Sequence, residues 1–234
     1  MSLALRTWLA AARTRARLTN RLSPARDRLE LVRAHAPGRS FADVGCMWGV
    51  HGQIAFTAEE AQASSVSAVD IMQATPQFLS EHERRRSSVR FLSGDVHDED
   101  LLERLGPHEV VWCSGVVYHA PHPLLTLQRL RGITTETLIL SSEVIPELPG
   151  IAQACVFLPF LPEDQRKAHA GLRASRQVGL STPFQAEQRY ANWYWGLTAS
   201  ALAAMLRTAG FEPLQAISTT LHATFVARPV DVNR

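Results

Sequence analysis

The sequence is short of cysteine. Cys46, Cys113 and Cys155 are its three, an odd number with no pair at metal-ligand spacing. A disulfide framework is excluded, and reduced thiols in the cytoplasm are the simplest expectation. No HExxH or comparable pattern occurs among the nine histidines, so no metal site is expected. Long apolar runs are missing as well. No segment could span a bilayer, none reads as a secretory signal, and no membrane partner is expected. Charge imbalance is small: 24 Lys and Arg face 22 Asp and Glu, a net +2 that does not by itself argue for nucleic acid. One local absence stands out. No acid precedes Asp27, whereas six arginines do (Arg6, Arg13, Arg15, Arg17, Arg21, Arg26). A transit peptide, an RNA-contacting arm and an amphipathic helix all fit that composition. In the helix, Leu5, Trp8, Leu9 and Ala12 share one side.

What is present is a core-forming chain, 46% hydrophobic and 20% charged. Short β-rich runs alternate with helical stretches. Strands are predicted at Ser40–Val44, Val66–Asp70, Val89–Leu92, Val110–Cys113 and Thr137–Val144. Helices are predicted at His51–Ala63, Pro76–Arg85, Asp98–Leu105 and Pro121–Arg131. From Pro146 to about Tyr190 the rhythm breaks at Pro146, Pro149, Pro159, Pro162 and Pro183. Thr198–Ala209 is a helix with a Thr N-cap and a Gly210 stop, and two β segments follow, Leu214–Ser218 and His222–Ala227. The pattern predicts an α/β fold: a doubly wound, Rossmann-like, mostly parallel seven-stranded sheet with helices on both faces. A helical extension (1–36) precedes the main domain (37–234), and a lid insertion (about 146–197) follows the fifth strand.

The loop Phe41-Ala42-Asp43-Val44-Gly45-Cys46-Met47-Trp48-Gly49 ends one strand and opens a helix. Glycine there lets backbone approach a ligand closely, and an amide-rich loop opening a helix suits a nucleotide-like group. Asp70 ends the second strand, where an acid can accept both hydroxyls of a ribose. Asp95, in Gly94-Asp95-Val96, follows the third, where a carboxylate can receive an adenine amino group. In this order, on successive strands, the residues resemble class I S-adenosylmethionine-dependent methyltransferases, whose first motif reads acid-x-Gly-Cys-Gly-x-Gly. The resemblance implies an enzyme using S-adenosyl-L-methionine. It puts Asp43 and Gly45 near the cofactor's methionine part, Asp70 at the ribose and Asp95 at the adenine with Val96 against the ring, and it adds Cys46, Trp48, Gly49 and Ile71 as cofactor-binding positions. Met47 departs from it, occupying the middle glycine's position, where a side chain is expected to crowd the methionine part or shift the loop. The Gly-x-Gly-x-x-Gly dinucleotide fingerprint is lacking, which speaks against a nicotinamide enzyme.

The fourth strand leads into Ser114-Gly115-Val116-Val117-Tyr118-His119-Ala120-Pro121-His122-Pro123-Leu124. This segment is similar to Gly-Val-Leu-Tyr-His…Pro-Leu in the bacterial enzymes that complete 5-carboxymethoxyuridine at the tRNA wobble position, and in related small-molecule methyltransferases. The likeness spans about Phe41 to Ile145. It implies that Ser114 and Tyr118 line the cofactor. The basic residues that hold those enzymes' extra cofactor carboxylate are not matched here, and their long N-terminal region is largely absent, which favours ordinary methyl transfer. His119 titrates near neutrality in its ordinary state and could take the acceptor's proton, or it could simply hydrogen-bond the turn. Tyr118 joins it as a catalytic candidate. Glu143, at the end of the fifth strand, could bind a substrate hydroxyl or amine, or satisfy a loop amide. Trp193, Tyr194 and Trp195 cannot all face one core, so one or more is expected to line a substrate pocket or pack the lid. The expected partner is a small-molecule acceptor, with tRNA as the alternative and a non-catalytic member of the fold as a third reading. The oligomeric state stays open, a homodimer among the options.

Overall fold

The structure, a computed structural model, describes residues 24–165, 184–186 and 191–231. The helix expected around Leu5, Trp8, Leu9 and Ala12, and residues 166–183 and 187–190 of the expected lid insertion, lie outside them. The elements in chain order are α1 (Pro24–His35), β1 (Ser40–Val44), α2 (Gln53–Glu60), β2 (Ser65–Asp70), α3 (Pro76–Arg85), β3 (Arg90–Ser93), α4 (Glu99–Leu105), β4 (His108–Ser114) and α5 (Pro123–Ile133). They continue with β5 (Thr134–Glu143), β6 (Cys155–Phe157), β7 (Trp195–Leu197), α6 (Ala199–Thr208), β8 (Phe211–Ser218) and β9 (His222–Pro229).

Seven strands form one sheet in the order β3-β2-β1-β4-β5-β9-β8. The run from β3 to β5 is parallel, and β9 inserts antiparallel between β5 and β8. This is the expected doubly wound, Rossmann-like sheet. Its strand order reverses between β1 and β4, so the crevice beyond their carboxyl ends is the topological switch point, where such sheets bind ligands.

The central strands read as near-continuous apolar runs because both their faces are covered. One face packs Val32 of α1, Ile54 and Phe56 of α2 and Phe78 of α3 against Phe41, Val110 and Trp112. On the other, Leu101 and Leu105 of α4, Leu127 and Leu130 of α5, and Leu202 and Leu206 of α6 pack on Val44, Val111 and Leu138. Capping fixes two of these helices. The Thr75 hydroxyl accepts from the Phe78 amide (3.2 Å), with Pro76 leading α3, and the Thr198 hydroxyl accepts from the Ala201 amide (3.2 Å) at the start of α6.

Several boundaries moved. The helix read from His51 starts at Gln53, because the chain is still turning through the left-handed Gly52 (φ 80). Strand β8 begins at Phe211, three residues before the expected Leu214, carried across Pro213 by an irregularity in its pairing with β9. Within the insertion, β6 and β7 pair as a separate two-stranded antiparallel sheet that local sequence did not announce. Among the described residues no helix is long and apolar enough to cross a membrane.

Candidate functional site

The loop after β1 is held from two sides. The Gly45 amide donates to the Val69 carbonyl (2.9 Å) at the tip of β2. Gly45 itself has φ +86, and a Cβ there would stand 2.3 Å from the Ser114 carbonyl oxygen and 2.7 Å from Val116 Cγ2. Only glycine satisfies both the left-handed backbone and the close approach to β4. Gly49 (φ +68) differs, since a Cβ there would meet nothing within 4 Å. Cys46 is buried, and burial raises its thiol pKa well above the usual value. Ser114, half-buried at the tip of β4, supplies the wall against Gly45.

Met47 corrects an expectation. Its side chain does not crowd the crevice: it is fully buried in the cluster with Ile54, Phe56 and Phe78, on the face covered by α1 to α3. The hydrophobic effect turns the thioether inward, and the same residue's amide donates to Asp70 Oδ2 (2.8 Å). Its neighbour Trp48 is 72% exposed, and Ile71, at the tip of β2, is 70% exposed. Two large apolar side chains thus stand open, one in the loop after β1 and one at the tip of β2.

Three carboxylates converge at neighbouring strand tips. Asp70 accepts from the Met47 amide through Oδ2 and from the Met72 amide through Oδ1 (2.9 Å). Each oxygen keeps lone-pair capacity for a further donor. The Asp70 carbonyl accepts from the Gly94 amide (2.9 Å), which fastens the Asp95 turn beside it. Asp95 is half exposed, and its Oδ1 accepts from the His97 amide (2.9 Å). Val96 packs inward with Leu101 and Val117. Asp43 lies beneath the loop, with no exposure at all. Its Oδ2 accepts from the Ala55 amide (3.1 Å), and its Oδ1 is buried without a hydrogen-bond partner among the described residues. Burial above all, with Asp70 adding to it, pushes the Asp43 pKa up to about 7, against the opposing Ala55 amide.

On the β4 side, Tyr118 is buried against the ring of Trp193 (centroids 4.9 Å apart) and beside His119 (4.2 Å). The Tyr118 carbonyl accepts from the amides of Tyr194 (2.9 Å) and Trp195 (3.2 Å), so the aromatic segment is pinned to the turn after β4. The three aromatics part ways. Trp193 points inward, Tyr194 and Trp195 meet Phe157 edge-on, and Trp195 Nε1 donates to the Pro121 carbonyl (3.1 Å). Burial pushes the His119 pKa down to about 4, against the pull of the Ala191 main chain. The imidazole is therefore neutral and weakly basic at pH 7, less suited to take a proton than its sequence position suggested. Glu143, at the tip of β5, is the better matched group, since burial raises it to about 7 while Arg28 works the other way. Sequence reading missed Arg28, which reaches these tips from α1. Its contact with His222 spans 194 positions, and no local pattern announces it.

No family model matches the sequence, and no curated protein matches it. Solved structures share its fold. The N-terminal domain of EvdMO1 with SAH bound overlays with a TM-score of 0.57 at 17% identity, covering 89% of this chain and 82% of that one. The Burkholderia thailandensis 1,6-didemethyltoxoflavin-N1-methyltransferase, solved with 1,6-didemethyltoxoflavin and S-adenosylhomocysteine, overlays at 0.58 and 17% identity, covering 97% and 88%. The [4+2]-cyclase SpnF overlays at 0.58 and 16% identity, covering 87% and 80%. Identities this low establish the shared fold and leave the reaction to the site residues.

Proposed function

We propose that the protein is an S-adenosyl-L-methionine-dependent methyltransferase acting on a small-molecule acceptor. The observation that carries the reading is the meeting of Gly45, Asp70 and Asp95 at adjoining strand tips, with Ile71 and Trp48 exposed beside them. The residues fit such a cofactor. The Asp43 Oδ1, buried with no hydrogen-bond partner among the described residues, suits the ammonium of a bound amino acid. Asp70 retains acceptor capacity for ribose hydroxyls, and Ile71 offers an apolar face to the adenosine. Asp95 is accessible to an exocyclic amine. Gly45, Cys46, Gly49 and Ser114 shape the loop and its wall, and Tyr118 closes the β4 side.

When bound, the cofactor supplies an electrophilic methyl on a sulfonium, which passes to a nucleophile by in-line displacement. The protein's part is chiefly alignment and exclusion of water. Trp193, Tyr194 and Trp195, fastened to the Tyr118 turn, are read as the acceptor-side wall, with Glu143 as a polar contact. Small acceptors are preferred to tRNA because the enzyme solved with didemethyltoxoflavin shares the fold across 97% of this chain. The tRNA reading draws on the Tyr118-His119 segment and on the basic N-terminus, of whose six arginines all but Arg26 lie outside the described residues. A second reading follows from SpnF, a cyclase on the same fold: the sheet alone does not dictate methyl transfer.

Titration calorimetry with S-adenosylhomocysteine tests the proposal. Saturable one-to-one binding, weakened in Asp70→Ala, is expected. No binding in the intact chain removes the reading.

A further inference from the structure

A buried polar cluster lies where α1 meets the tips of β4, β5 and β9. Arg28 Nη2 donates to His222 Nε2 at 2.7 Å. A guanidinium can only donate, so this ring nitrogen accepts and the His222 imidazole is neutral. Burial first, and then the Arg28 charge, push the His222 pKa down to about 3. Ser141 Oγ lies 3.0 Å from the same nitrogen, and Thr224 Oγ1 donates to Ser141 Oγ at 3.4 Å. Arg28 Nε is buried and has no hydrogen-bond partner among the described residues. Glu143 pairs in register with His222, two residues beyond Ser141, which itself pairs with Ser114 beside Gly45. Arg28 is close enough to Glu143 and to Tyr118 for each to pull on its charge.

Burying a guanidinium is unfavourable unless it is paired. An arginine with an unused N–H and a carboxylate within its field, one strand over from the switch point, form a donor and acceptor pair for one polar group. Among the described residues, Glu143 has the Arg28 cation near it and the neutral His222 opposite it in register, and the Tyr118 phenol stands near Arg28.

Resting on the methyl-transfer reading, we propose that Arg28 and Glu143 select and activate a hydroxyl acceptor, Glu143 taking the O–H proton and Arg28 stabilising the oxygen as it becomes negative. The acceptor's O–H bond breaks, and its proton moves to a Glu143 carboxylate oxygen. The electron pair left on oxygen forms the bond to the methyl carbon, and the carbon–sulfur bond breaks with its pair remaining on sulfur. Charge favours oxygen over nitrogen as the nucleophile. A phenol or enol passes through a negative oxygen, which the fixed cation attracts, whereas an amine becomes positive as it is methylated, which the cation opposes.

The test uses the full chain saturated with S-adenosylhomocysteine and two probes, para-nitrophenol and para-nitroaniline, followed by absorbance. Bound nitrophenol is expected to show its phenolate band at a pH below its solution pKa. Nitroaniline is expected to bind weaker by about tenfold or more. Arg28→Gln should abolish the band while S-adenosylhomocysteine affinity, which reports intact strand tips, stays within about twofold. Arg28→Lys should restore part of the band. Glu143→Gln should keep that affinity and slow methyl transfer to nitrophenol by about a hundredfold. The proposal is overturned if the two probes bind equally, if Arg28→Gln leaves the band intact, or if a chain that binds S-adenosylhomocysteine takes up no nitrophenol. A chain that binds no S-adenosylhomocysteine overturns the cofactor reading itself, a separate and recognisable failure.

Discussion

Replacing Gly45 by alanine separates two physical demands that meet at one residue. The left-handed backbone (φ +86) is unfavourable for alanine by about 1–2 kcal/mol. The added methyl would also sit 2.3 Å from the Ser114 carbonyl oxygen, a backbone atom that cannot swing aside, and 2.7 Å from Val116 Cγ2. Overpacking of that kind typically destabilises by about 1–3 kcal/mol, so the total is about 3 kcal/mol. For a chain of this size the melting temperature should fall by about 6–12 °C. Gly49→Ala is the internal control. Its backbone is equally left-handed (φ +68), but the methyl would meet nothing within 4 Å. Only the conformational cost of about 1–2 kcal/mol remains, or about 2–8 °C. Differential scanning calorimetry of both variants, with S-adenosylhomocysteine titration on each, measures the difference. Gly45→Ala should also lose ligand affinity, because relief of the clash pushes the β1 loop off the β4 tip. Equal melting shifts in the two variants would refute the close approach of Gly45 to Ser114, and with it the switch-point geometry.

Three further outcomes are expected. Asp70→Asn keeps the size of the side chain but turns an N–H₂ toward one of the two backbone amides now bonded to carboxylate oxygens; a stability loss of about 1–3 kcal/mol in denaturant titration, with weakened S-adenosylhomocysteine binding, should follow. Met47→Ala should lose about 2–4 kcal/mol, as a core cavity does, without tightening cofactor binding; tighter binding would mean that the thioether faces the crevice after all. Glu143 has a folded pKa raised from 4.5 to about 7, so the native state holds its proton longer than the unfolded chain, and this group's contribution declines as pH rises through that window. His119 and His222, lowered to about 4 and about 3 from 6.5, contribute the opposite slope. Glu143→Gln should therefore make stability rise more steeply between pH 4.5 and 6.5 than in the parent chain, as read from urea midpoints; an unchanged slope counts against the buried carboxylate.

The order of the elements was legible because the parallel strands are short apolar runs between amphipathic helices, and both patterns are local. The nearness of the candidate ligand residues was legible for the same reason. Gly45, Asp70 and Asp95 each sit at a strand end, and the Rossmann-like order makes strand ends neighbours. Three things escaped. Met47 was read as an obstacle because its position in a motif says nothing about which way a side chain turns; that direction is set by Ile54, Phe56 and Phe78, which offer it an apolar home. The β6–β7 pair joins residues some forty positions apart, with prolines between them, so no hairpin signal existed. Arg28 sits in a helix whose sequence looks like any basic surface helix, and only the arrival of β9 gives it a partner.

The acids of the site illustrate how one sheet edge assigns different work to the same functional group. Asp43 is sealed beneath the loop, and burial raises it to about 7, so it can hold a proton near neutrality and leave one oxygen to await a donor. Asp70, one strand over, is held by two backbone amides that fix its orientation while sparing lone pairs. Asp95 is half in solvent, tied down only by its own turn. Glu143, on the far side of β4, is half-buried beside a guanidinium. Four carboxylates with equal protonation would repel one another across neighbouring strands. Burial raises Asp43 and Glu143 to about 7, and in the methyl-transfer reading proposed above the differing environments of the four would reserve the β1–β2 side for the cofactor and the β5 side for a proton.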